Sequence, residues 1–405
     1  MSSDQTRRGW IKYGAALSGL LTGCSTEPHV QSEDEGINKL GKGVGLYGER
    51  SPEQKVVRLL GTSKHPEASS STTPLAGTMG IITPAALHFE RHHSGVPALS
   101  EKDHELLIHG LVQSSLVFSM ADLKRLPSAS QTYFLECAGN GGREWSDKVA
   151  VDVQSGFGLA SCSEWTGVKL STLLREVGLK ADAKWFIAEG GDICKMHRSL
   201  PIEKGLKDVL VAYGQNGEAL RPEQGYPLRL IVPGWEGNVS VKWLRQIKVV
   251  AEPLASREET SKYTDMMPDG KARQYTFTME AKSVITNPSG GHRLTKRGYV
   301  EISGLAWTGK GRIERVEVTT DGGKSWQQAT LQEPRLPMAF TRFRFDWDWL
   351  GEEATIASRA VDETGYVQPA RAELLEVRGE NSHYHFNGVK LWKIAADGKV
   401  THVEA

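Results

Sequence analysis

One cysteine stands in a segment that could do chemistry. Cys137 follows an apolar run that predicts a strand, and a small-residue turn, 138–142 (AGNGG), comes directly after it. A strand end followed by glycines would expose the sulfur and let the backbone approach a bulky ligand closely. An exposed thiolate could bind a soft or high-valent metal or act as a nucleophile. The same local pattern also fits a buried, inert cysteine, and it does not decide between these hypotheses.

A second cluster combines histidine and arginine in the stretch 88–93 (HFERHH). On a helix its three histidines could share one face and bind zinc. Pro84 and the turn at 95–97 (GVP) instead favour a loop, and no further ligand completes a recognisable zinc spacing. The interpretation we favour is a loop of Arg and His side chains that binds an anion.

Two basic residues lie on short apolar strands that are bracketed by turn residues. Arg229 follows the turn 224–227 (QGYP), and Lys242 follows the turn 233–238 (PGWEGN). Basic groups at strand ends near glycines are well placed to hold a phosphate. Each of them, taken alone, could equally be an ordinary surface charge.

The composition limits the class of partner. The 405 residues include 49 Lys plus Arg and 49 Asp plus Glu, so the formal net charge is zero. Nothing global therefore predicts binding to nucleic acid or to an anionic membrane, and an anionic substrate would need a local basic cluster. A chain of this length predicts two domains with extensions.

The first 24 residues predict an export signal. A twin arginine at 7–8 precedes an apolar stretch, 13–21, that is too short to span a bilayer. This pattern predicts twin-arginine export of a folded protein to the periplasm. The end of the signal, 21–24 (LTGC), also resembles a lipoprotein processing site, so a lipid anchor on Cys24 stays an alternative.

The remaining cysteines bear on redox chemistry. If Cys24 belongs to the signal, then Cys137, Cys162 and Cys194 are left, and an odd number in an exported protein suggests a functional thiol. In this compartment Cys162 and Cys194 either form a disulfide or remain free thiols. The sequence contains no Cys-x-x-Cys-His motif, so no covalent c-type haem is expected in this chain.

The pattern changes along the chain and predicts its organisation. Residues 25–75 are polar and predict a linker or surface arm, whereas 76–252 mix helical and strand patterns without a βαβ alternation. A polar segment over 253–284 separates this α+β part from 285–380, where turn-separated strands predict an immunoglobulin-like β-sandwich. Residues 381–405 are expected to pack as a tail.

Individual elements are predicted as follows. Ser171 to Val177 reads as a helix opened by a serine cap. Apolar or alternating runs predict strands at 184–188, 227–232, 241–250, 299–307, 312–320, 340–349, 355–361 and 372–377.

These motifs occur in an order that resembles the sulfite oxidase family of molybdenum enzymes. They are 89–93 (FERHH), 136–140 (ECAGN), 223–234 (EQGYPLRLIVPG), 237–244 (GNVSVKWL) and 321–326 (DGGKSW). The segments SREETSKYTD, AKSVITNPS and SRAVDETGYVQP resemble the sulfane dehydrogenase branch of that family. The resemblance covers residues 75 to 380 and implies an α+β fold, with a mixed molybdopterin-binding domain followed by an immunoglobulin-like β-sandwich dimerisation domain.

The resemblance also implies roles for individual residues. Cys137 matches the cysteine whose thiolate binds molybdenum, Tyr263 the active-site tyrosine, and Arg378 an arginine at the substrate entrance. Arg91 falls at the substrate-binding position. Residues that match cofactor-binding positions are Phe89, Glu90, Arg91, His92, His93, Cys137, Asp192, Gln224, Arg229, Val241, Lys242 and Trp243.

One departure from the family pattern bears on the substrate. Sulfite oxidases carry two arginines after the CAGN motif, and the second helps to bind sulfite, but Gly141 and Gly142 stand here. Losing a bidentate cation weakens the grip on a small oxyanion and opens room near the metal. This favours a persulfide on the flexible arm of a carrier protein. Alternatively, Arg143 swings in and restores sulfite binding.

The function expected from this resemblance is oxygen-atom transfer to sulfur in the Sox pathway of thiosulfate oxidation. The implied partners are a c-type cytochrome subunit, the sulfur-carrier protein of the Sox system and a second copy of the chain, which together predict a heterotetramer. The nearest alternative is a free-sulfite dehydrogenase with the same cofactor. More distant alternatives are a methionine sulfoxide reductase and a lipid-anchored binding module with a vestigial metal site.

Overall fold

The structure, a computed structural model, describes residues 40–146 and 150–403. The predicted export signal, the lipid site at Cys24 and the predicted linker up to residue 39 lie outside the described residues. The chain divides into two units, Met1–Gln54 and Lys55–Ala405. In the first unit, residues 40–54 form neither helix nor strand. Among the described residues, no helix combines the length and the apolar character needed to cross a membrane.

The first part of the second unit is built from short strands with few helices. Its strands are β1 (Leu59–Leu60), β2 (Ser70–Thr72), β3 (Glu90–Arg91), β4 (Glu105–Gly110), β5 (Leu116–Ser119), β6 (Ser128–Glu136), β7 (Ala160–Lys169), β8 (Trp185–Gly190), β9 (His197–Pro201), β10 (Leu210–Gln215), β11 (Glu218–Ala219), β12 (Arg229–Ile231) and β13 (Leu244–Val250). The helices of the described chain are α1 (Met120–Arg125), α2 (Val153–Phe157), α3 (Leu170–Val177), α4 (Ile202–Lys207), α5 (Arg257–Thr260) and α6 (Arg371–Arg378).

Two five-stranded sheets form the framework of this part. One has the order β5-β4-β13-β8-β9, in which only β4 and β13 run parallel. The other has the order β11-β10-β7-β6, with β12 paired to β10. Strand β6 pairs with β7 along its whole length, and the pairing ends with Glu136 opposite Ala160. The residue after Glu136 is therefore delivered at the end of a fully paired, buried strand.

A third, three-stranded sheet uses residues from the predicted linker. Strands β1 and β2 lie within 25–75, and β2 pairs with β3, so that Ser70 stands opposite Arg91. These strands are two or three residues long, and Leu59 and Leu60 are exposed, so they leave no apolar periodicity in the sequence. The arm thus contacts the His/Arg loop directly.

Strands β14 (Asp265–Met266) and β15 (Ala272–Arg273) form a separate two-stranded sheet, and the second part of the chain is a β-sandwich. The strands of the sandwich are β16 (Lys282–Asn287), β17 (Gly298–Trp307), β18 (Ile313–Thr319), β19 (Gln327–Gln328), β20 (Thr330–Leu331), β21 (Thr341–Trp349), β22 (Ala354–Asp362), β23 (Leu391–Ile394) and β24 (Val400–His402). The sheets β16-β17-β21-β20 and β19-β18-β22-β23-β24 pack face to face over buried residues such as Ile302, Phe343, Val316 and Ile356. The tail that follows residue 380 completes the second sheet.

Two element predictions differ from the structure. The strand predicted over 372–377 is wrong, because Arg371–Arg378 is a helix. A short apolar run does not distinguish a buried strand from a helix, and here Glu373 accepts the backbone N–H of Ala370 at 2.9 Å and caps the helix start. The helix predicted from Ser171 begins at Leu170, and its N-cap residue, Lys169, makes no side-chain cap.

Candidate active site

A cleft in the first part of the unit collects most of the predicted site residues. It holds about 700 Å³ of empty space, including its open mouth. Predicted site residues that line it are Phe89, Arg91, His92, His93, Cys137, Asp192, Gln224, Arg229, Val241, Lys242, Trp243 and Tyr263. They come from six separate segments of the chain, which the fold brings together.

The backbone around Cys137 is fixed on both sides. Its N–H donates to the carbonyl of Leu159 at 2.9 Å, and its own carbonyl accepts from the N–H of Asn140 at 2.9 Å. Gly141 has φ = +77°, in the left-handed region that favours glycine, and a Cβ there would lie 3.1 Å from the Phe386 ring. The glycine is therefore required by the turn, and the turn holds the sulfur at the cleft wall.

Burial sets the state of the thiol. It raises the pKa of Cys137 above its ordinary value of 9.0, while a hydrogen bond from the Gly139 backbone and the charge of Arg91 act in the opposite direction. A thiol in this setting stays protonated until a cation stabilises the thiolate, and metal coordination does so directly.

Glu136, the residue before Cys137, ties this strand end to the β-sandwich. Its carboxylate is fully buried and accepts hydrogen bonds from Asn140 Nδ2 at 2.8 Å, from Trp307 Nε1 at 2.7 Å and from Lys282 Nζ. Lys282 and Trp307 belong to strands β16 and β17 of the sandwich. The position of Cys137 therefore depends on contacts with residues of the β-sandwich, Lys282 and Trp307, which come roughly 150 positions or more later in the chain.

Buried Arg229 and half-buried Lys242 supply two cations to the cleft lining. Arg229 donates to the carbonyls of Gln224 at 2.8 Å and Ser240 at 3.1 Å, and its buried Nε has no hydrogen-bond partner. Burial lowers the pKa of Arg229 to about 9. Burial, followed by the charge of Arg229, also lowers the pKa of Lys242. Among the described residues neither cation forms a salt bridge, so an anion such as phosphate would stabilise both.

Tyr263 closes another side of the cleft. Its hydroxyl lies 3.0 Å from His93 Nε2, and the Arg198 guanidinium lies 5.2 Å from its ring centroid. The Tyr384 ring packs against it with centroids 5.3 Å apart. Burial raises the pKa of Tyr263, so the phenol is a neutral donor. These contacts aim one hydrogen-bond donor into the cleft.

Two predicted site residues do not line the cleft. Glu90 turns away from it and accepts from His92 Nε2 at 2.7 Å and from Arg58. Arg378 ends helix α6, where it is buried and lies 3.6 Å from a carboxylate oxygen of Glu280. Arg143 is exposed and is also outside the cleft lining.

The structure adds residues to which sequence reasoning gave no site role. Met196 and Asn238 line the cleft, together with His88 of the predicted His/Arg loop. Beneath it, the buried carboxylate of Glu236 accepts from Arg198 at 2.9 Å and lies 3.2 Å from His385 Nε2. The backbone N–H of His385 donates to Ala138 in the cysteine turn at 2.8 Å. Glu236 lies in a sequence motif, the run WEGN, but its partners Arg198 and His385 do not. No local signal therefore marked these partners.

The two other described cysteines do not pair. Cys162 is fully buried in strand β7, and its sulfur faces the backbone N–H of Phe340 at 3.5 Å. Cys194 is exposed, and its sulfur donates to a carboxylate oxygen of Asp192 at 2.8 Å. Burial raises the pKa of Cys162 to about 12, as expected for an inert core thiol.

Comparisons with known proteins decide the family. Residues 93–258 match the model of the oxidoreductase molybdopterin binding domain, and residues 273–391 match the Mo-co oxidoreductase dimerisation domain. The crystal structure of the sulfane dehydrogenase SoxCD from Paracoccus pantotrophus is similar, with 46% identity and a TM-score of 0.89. That match covers 94% of this chain and 100% of the other. This chain belongs to the sulfite oxidase family.

Curated relatives at greater distance are longer than this member of the sulfite oxidase family. Mitochondrial sulfite oxidase of Drosophila melanogaster is 32% identical over 77% of this chain and 60% of its own length. The NADH nitrate reductase of Solanum lycopersicum is 33% identical over 76% of this chain and 38% of its own length. The chain thus spans between about 40% and 60% of the length of these relatives.

The residues present fit the molybdopterin cofactor of the sulfite oxidase family. The unpartnered Nε of Arg229 and the ammonium of Lys242, which forms no salt bridge among the described residues, suit a terminal phosphate. Cys137 offers a soft sulfur ligand in the lining of the same cleft. Arg229 and Lys242 would hold the phosphate, and Cys137 would hold the metal.

The buried imidazole of His88 makes the stability of this family member depend on pH. Burial lowers the pKa of His88 from 6.5 to about 3. Below pH 6.5 the His88 imidazole is therefore protonated in the unfolded chain but stays neutral in the folded chain. Stability is therefore lost as the pH falls from 6.5 towards 3. We expect the free energy of unfolding in urea to fall by about 2 kcal/mol between pH 6.5 and pH 5 through this residue. His88→Gln should reduce that slope and exposed His65→Gln should not; equal slopes would contradict the assignment.

Proposed function

We propose that this enzyme oxidises a sulfane or persulfide sulfur held on the carrier protein of the Sox system, in the periplasm, and passes the electrons to a c-type cytochrome. The similarity to the sulfane dehydrogenase SoxCD supports this substrate class and a cytochrome partner. The match to a dimerisation domain supports a pair of catalytic chains, and with one cytochrome each this gives a heterotetramer. The twin arginine at 7–8 supports export, and lipidation of Cys24 stays part of the proposal to be tested.

The observation that carries the proposal is the loss of positive charge beside the cysteine turn. Gly141 and Gly142 stand where the family pattern has two arginines, and Arg143 is exposed outside the cleft. Phe386 packs against the first glycine, and the carbonyl of His383 faces the second. A polarisable persulfide chain, which carries at most one negative charge, therefore loses less binding here than a small dianion, which needs a bidentate cation.

The chain's own residues position the substrate and stabilise charge. The bound cofactor supplies two-electron oxygen-atom transfer, and each added oxygen comes from water with release of two protons and two electrons. Arg91 lines the cleft and would stabilise the negative charge that grows on the oxidised sulfur group. The Tyr263 phenol would donate a hydrogen bond to an oxygen of that group. The cytochrome then accepts the electrons one at a time.

The direct test uses the complex of the full chain with its cytochrome. We expect cytochrome reduction to be faster with a persulfide-loaded carrier protein than with free sulfite at equal concentration. The reverse order would support the free-sulfite dehydrogenase, because Arg91 alone would then suffice to hold the oxyanion. Faster turnover as a methionine sulfoxide reductase would overturn both.

A gain-of-charge variant tests the glycine argument. Gly142→Arg is expected to raise kcat/KM for sulfite about ten-fold, because one charge-assisted hydrogen bond is worth roughly 1.5–3 kcal/mol. Gly142 has an ordinary φ, and a Cβ there meets only the His383 carbonyl at 3.4 Å, so the turn accepts it. The same change should lower kcat/KM for the persulfide by narrowing the cleft.

The matched control is Arg143→Gln, which removes an exposed charge one position later. If Arg143 does not reach the substrate, its loss should leave sulfite turnover unchanged in steady-state assays. A fall in sulfite activity comparable to the gain from Gly142→Arg would mean that Arg143 had restored the missing cation.

A further inference from the structure

Arg58 in the N-terminal arm contacts two loops of the cofactor cleft. Its guanidinium pairs with the carboxylate of Glu90 and lies 4.0 Å from a carboxylate oxygen of Glu223. It also donates to the carbonyl of His88 at 3.3 Å. Glu90 and His88 belong to the loop 88–93, and Glu223 precedes Gln224, so one side chain joins both loops.

The pair Arg58–Glu90 continues as a chain of hydrogen bonds into the cleft. His92 Nε2 lies 2.7 Å from Glu90 Oε2, and because a carboxylate only accepts, the imidazole proton is on Nε2. His92 Nδ1 is then free to accept from Lys242 Nζ at 2.9 Å. Lys242 lines the cleft beside Arg229, where a phosphate fits. Arg58 therefore reaches the phosphate site through two intervening side chains.

Further contacts hold this series of hydrogen bonds in place. Lys242 also donates to the carbonyls of Arg91 at 3.3 Å and Glu223 at 3.1 Å, which belong to the two loops that Arg58 joins from outside the cleft. Its Nζ lies 4.5 Å from the ring centroid of Trp243. Arg58, Glu90 and Glu223 retain only 23%, 17% and 22% side-chain exposure, so their charges interact with little screening by water.

We propose that Arg58 is a positioning residue for the cofactor phosphate, acting through Glu90 and His92 to fix Lys242. Without Arg58, the carboxylate of Glu90 loses its fixed partner, and the imidazole of His92 loses its fixed orientation. Lys242 then keeps its backbone carbonyl acceptors but loses a fixed imidazole acceptor, and the two loops lose one of the side chains that join them. At metal sites, loss of a residue that orients a ligand typically costs about 10- to 100-fold in affinity, and we expect an effect of that order here.

The test measures cofactor retention by the loaded enzyme and does not require turnover. Arg58→Met should release pterin about ten-fold faster than the unchanged chain at one fixed temperature, followed by pterin fluorescence and by molybdenum per chain after gel filtration. Arg58→Lys, which keeps the charge, should recover part of the retention. Lys64→Met, an exposed change in the same arm, is the matched control and should release pterin at the unchanged rate.

A second variant separates positioning from folding. Glu90→Gln keeps Arg58 but breaks the same series of hydrogen bonds, and it should speed the release of pterin by a similar factor. In the double variant the two effects should not multiply, because both changes act through one path to Lys242. Wild-type retention in Arg58→Met, or in Glu90→Gln if Arg58→Met fails to fold, would overturn the proposal. Multiplying effects in the double variant would also overturn it.

Discussion

Cys137→Ser is expected to abolish turnover and leave the fold intact. The hydroxyl is a hard, weakly acidic ligand where a soft thiolate is needed, so molybdenum binding should fall by more than the roughly 100-fold that loss of an outer-shell partner can cost. The backbone bonds from Cys137 to Leu159 and Asn140 do not involve the sulfur and persist. Molybdenum content, turnover and the urea midpoint of the purified chain measure the three effects separately.

The matched control is the other buried cysteine. Cys162→Ala removes a fully buried thiol from strand β7, where its sulfur contacts the backbone of Phe340 and not the cleft. It should cost some stability through a small cavity and retain both molybdenum and turnover. Retained turnover in Cys137→Ser, or lost molybdenum in Cys162→Ala, would contradict the assignment of the metal ligand.

Lys282→Met is expected to have the largest effect on stability. It leaves the carboxylate of Glu136, which is fully buried, without its counter-charge, although Trp307 and Asn140 still donate to it. Removing one partner of a buried ion pair typically costs about 3–5 kcal/mol, because an uncompensated charge remains in the interior. Urea unfolding of the cofactor-free chain, compared with the unchanged chain at pH 7, measures the loss.

Two further variants show whether burial causes this loss. Adding Glu136→Gln to Lys282→Met removes the stranded charge and should recover part of the stability. Arg293→Met breaks an exposed pair with Asp397 in which both side chains are more than half exposed, and it should leave unfolding nearly unchanged. A loss of similar size in Lys282→Met and Arg293→Met would mean that the buried position carries no special cost.

The predictions for Cys137 and Lys282 are connected, because the carboxylate partner of Lys282 is the residue next to Cys137. They therefore relate the stability of the fold to the site. Glu136 and Cys137 are consecutive, and the partners of Glu136 come from the β-sandwich. A change in the packing of strand β16 would move the strand end that presents the sulfur. We therefore expect Lys282→Met to lower cofactor content as well, whereas the exposed Arg293→Met should not.

The sequence by itself determined the local parts of this protein. The cysteine turn, the His/Arg loop and the strands carrying Arg229 and Lys242 each follow from glycine, proline and apolar spacing over a few residues. Their order along the chain identified the family, and the comparisons confirm it. Short-range patterns suffice here because a turn or a strand is fixed mainly by neighbouring residues.

The tertiary structure decided which side chains meet. It placed Arg378 against Glu280 outside the cleft lining, and it brought Arg58 from the predicted arm onto the loop 88–93. It also seated His385, from the predicted tail, on the cysteine turn. These contacts join residues tens to hundreds of positions apart. They depend on burial and charge pairing in the folded chain, and the local spacing of residue types predicts neither of these.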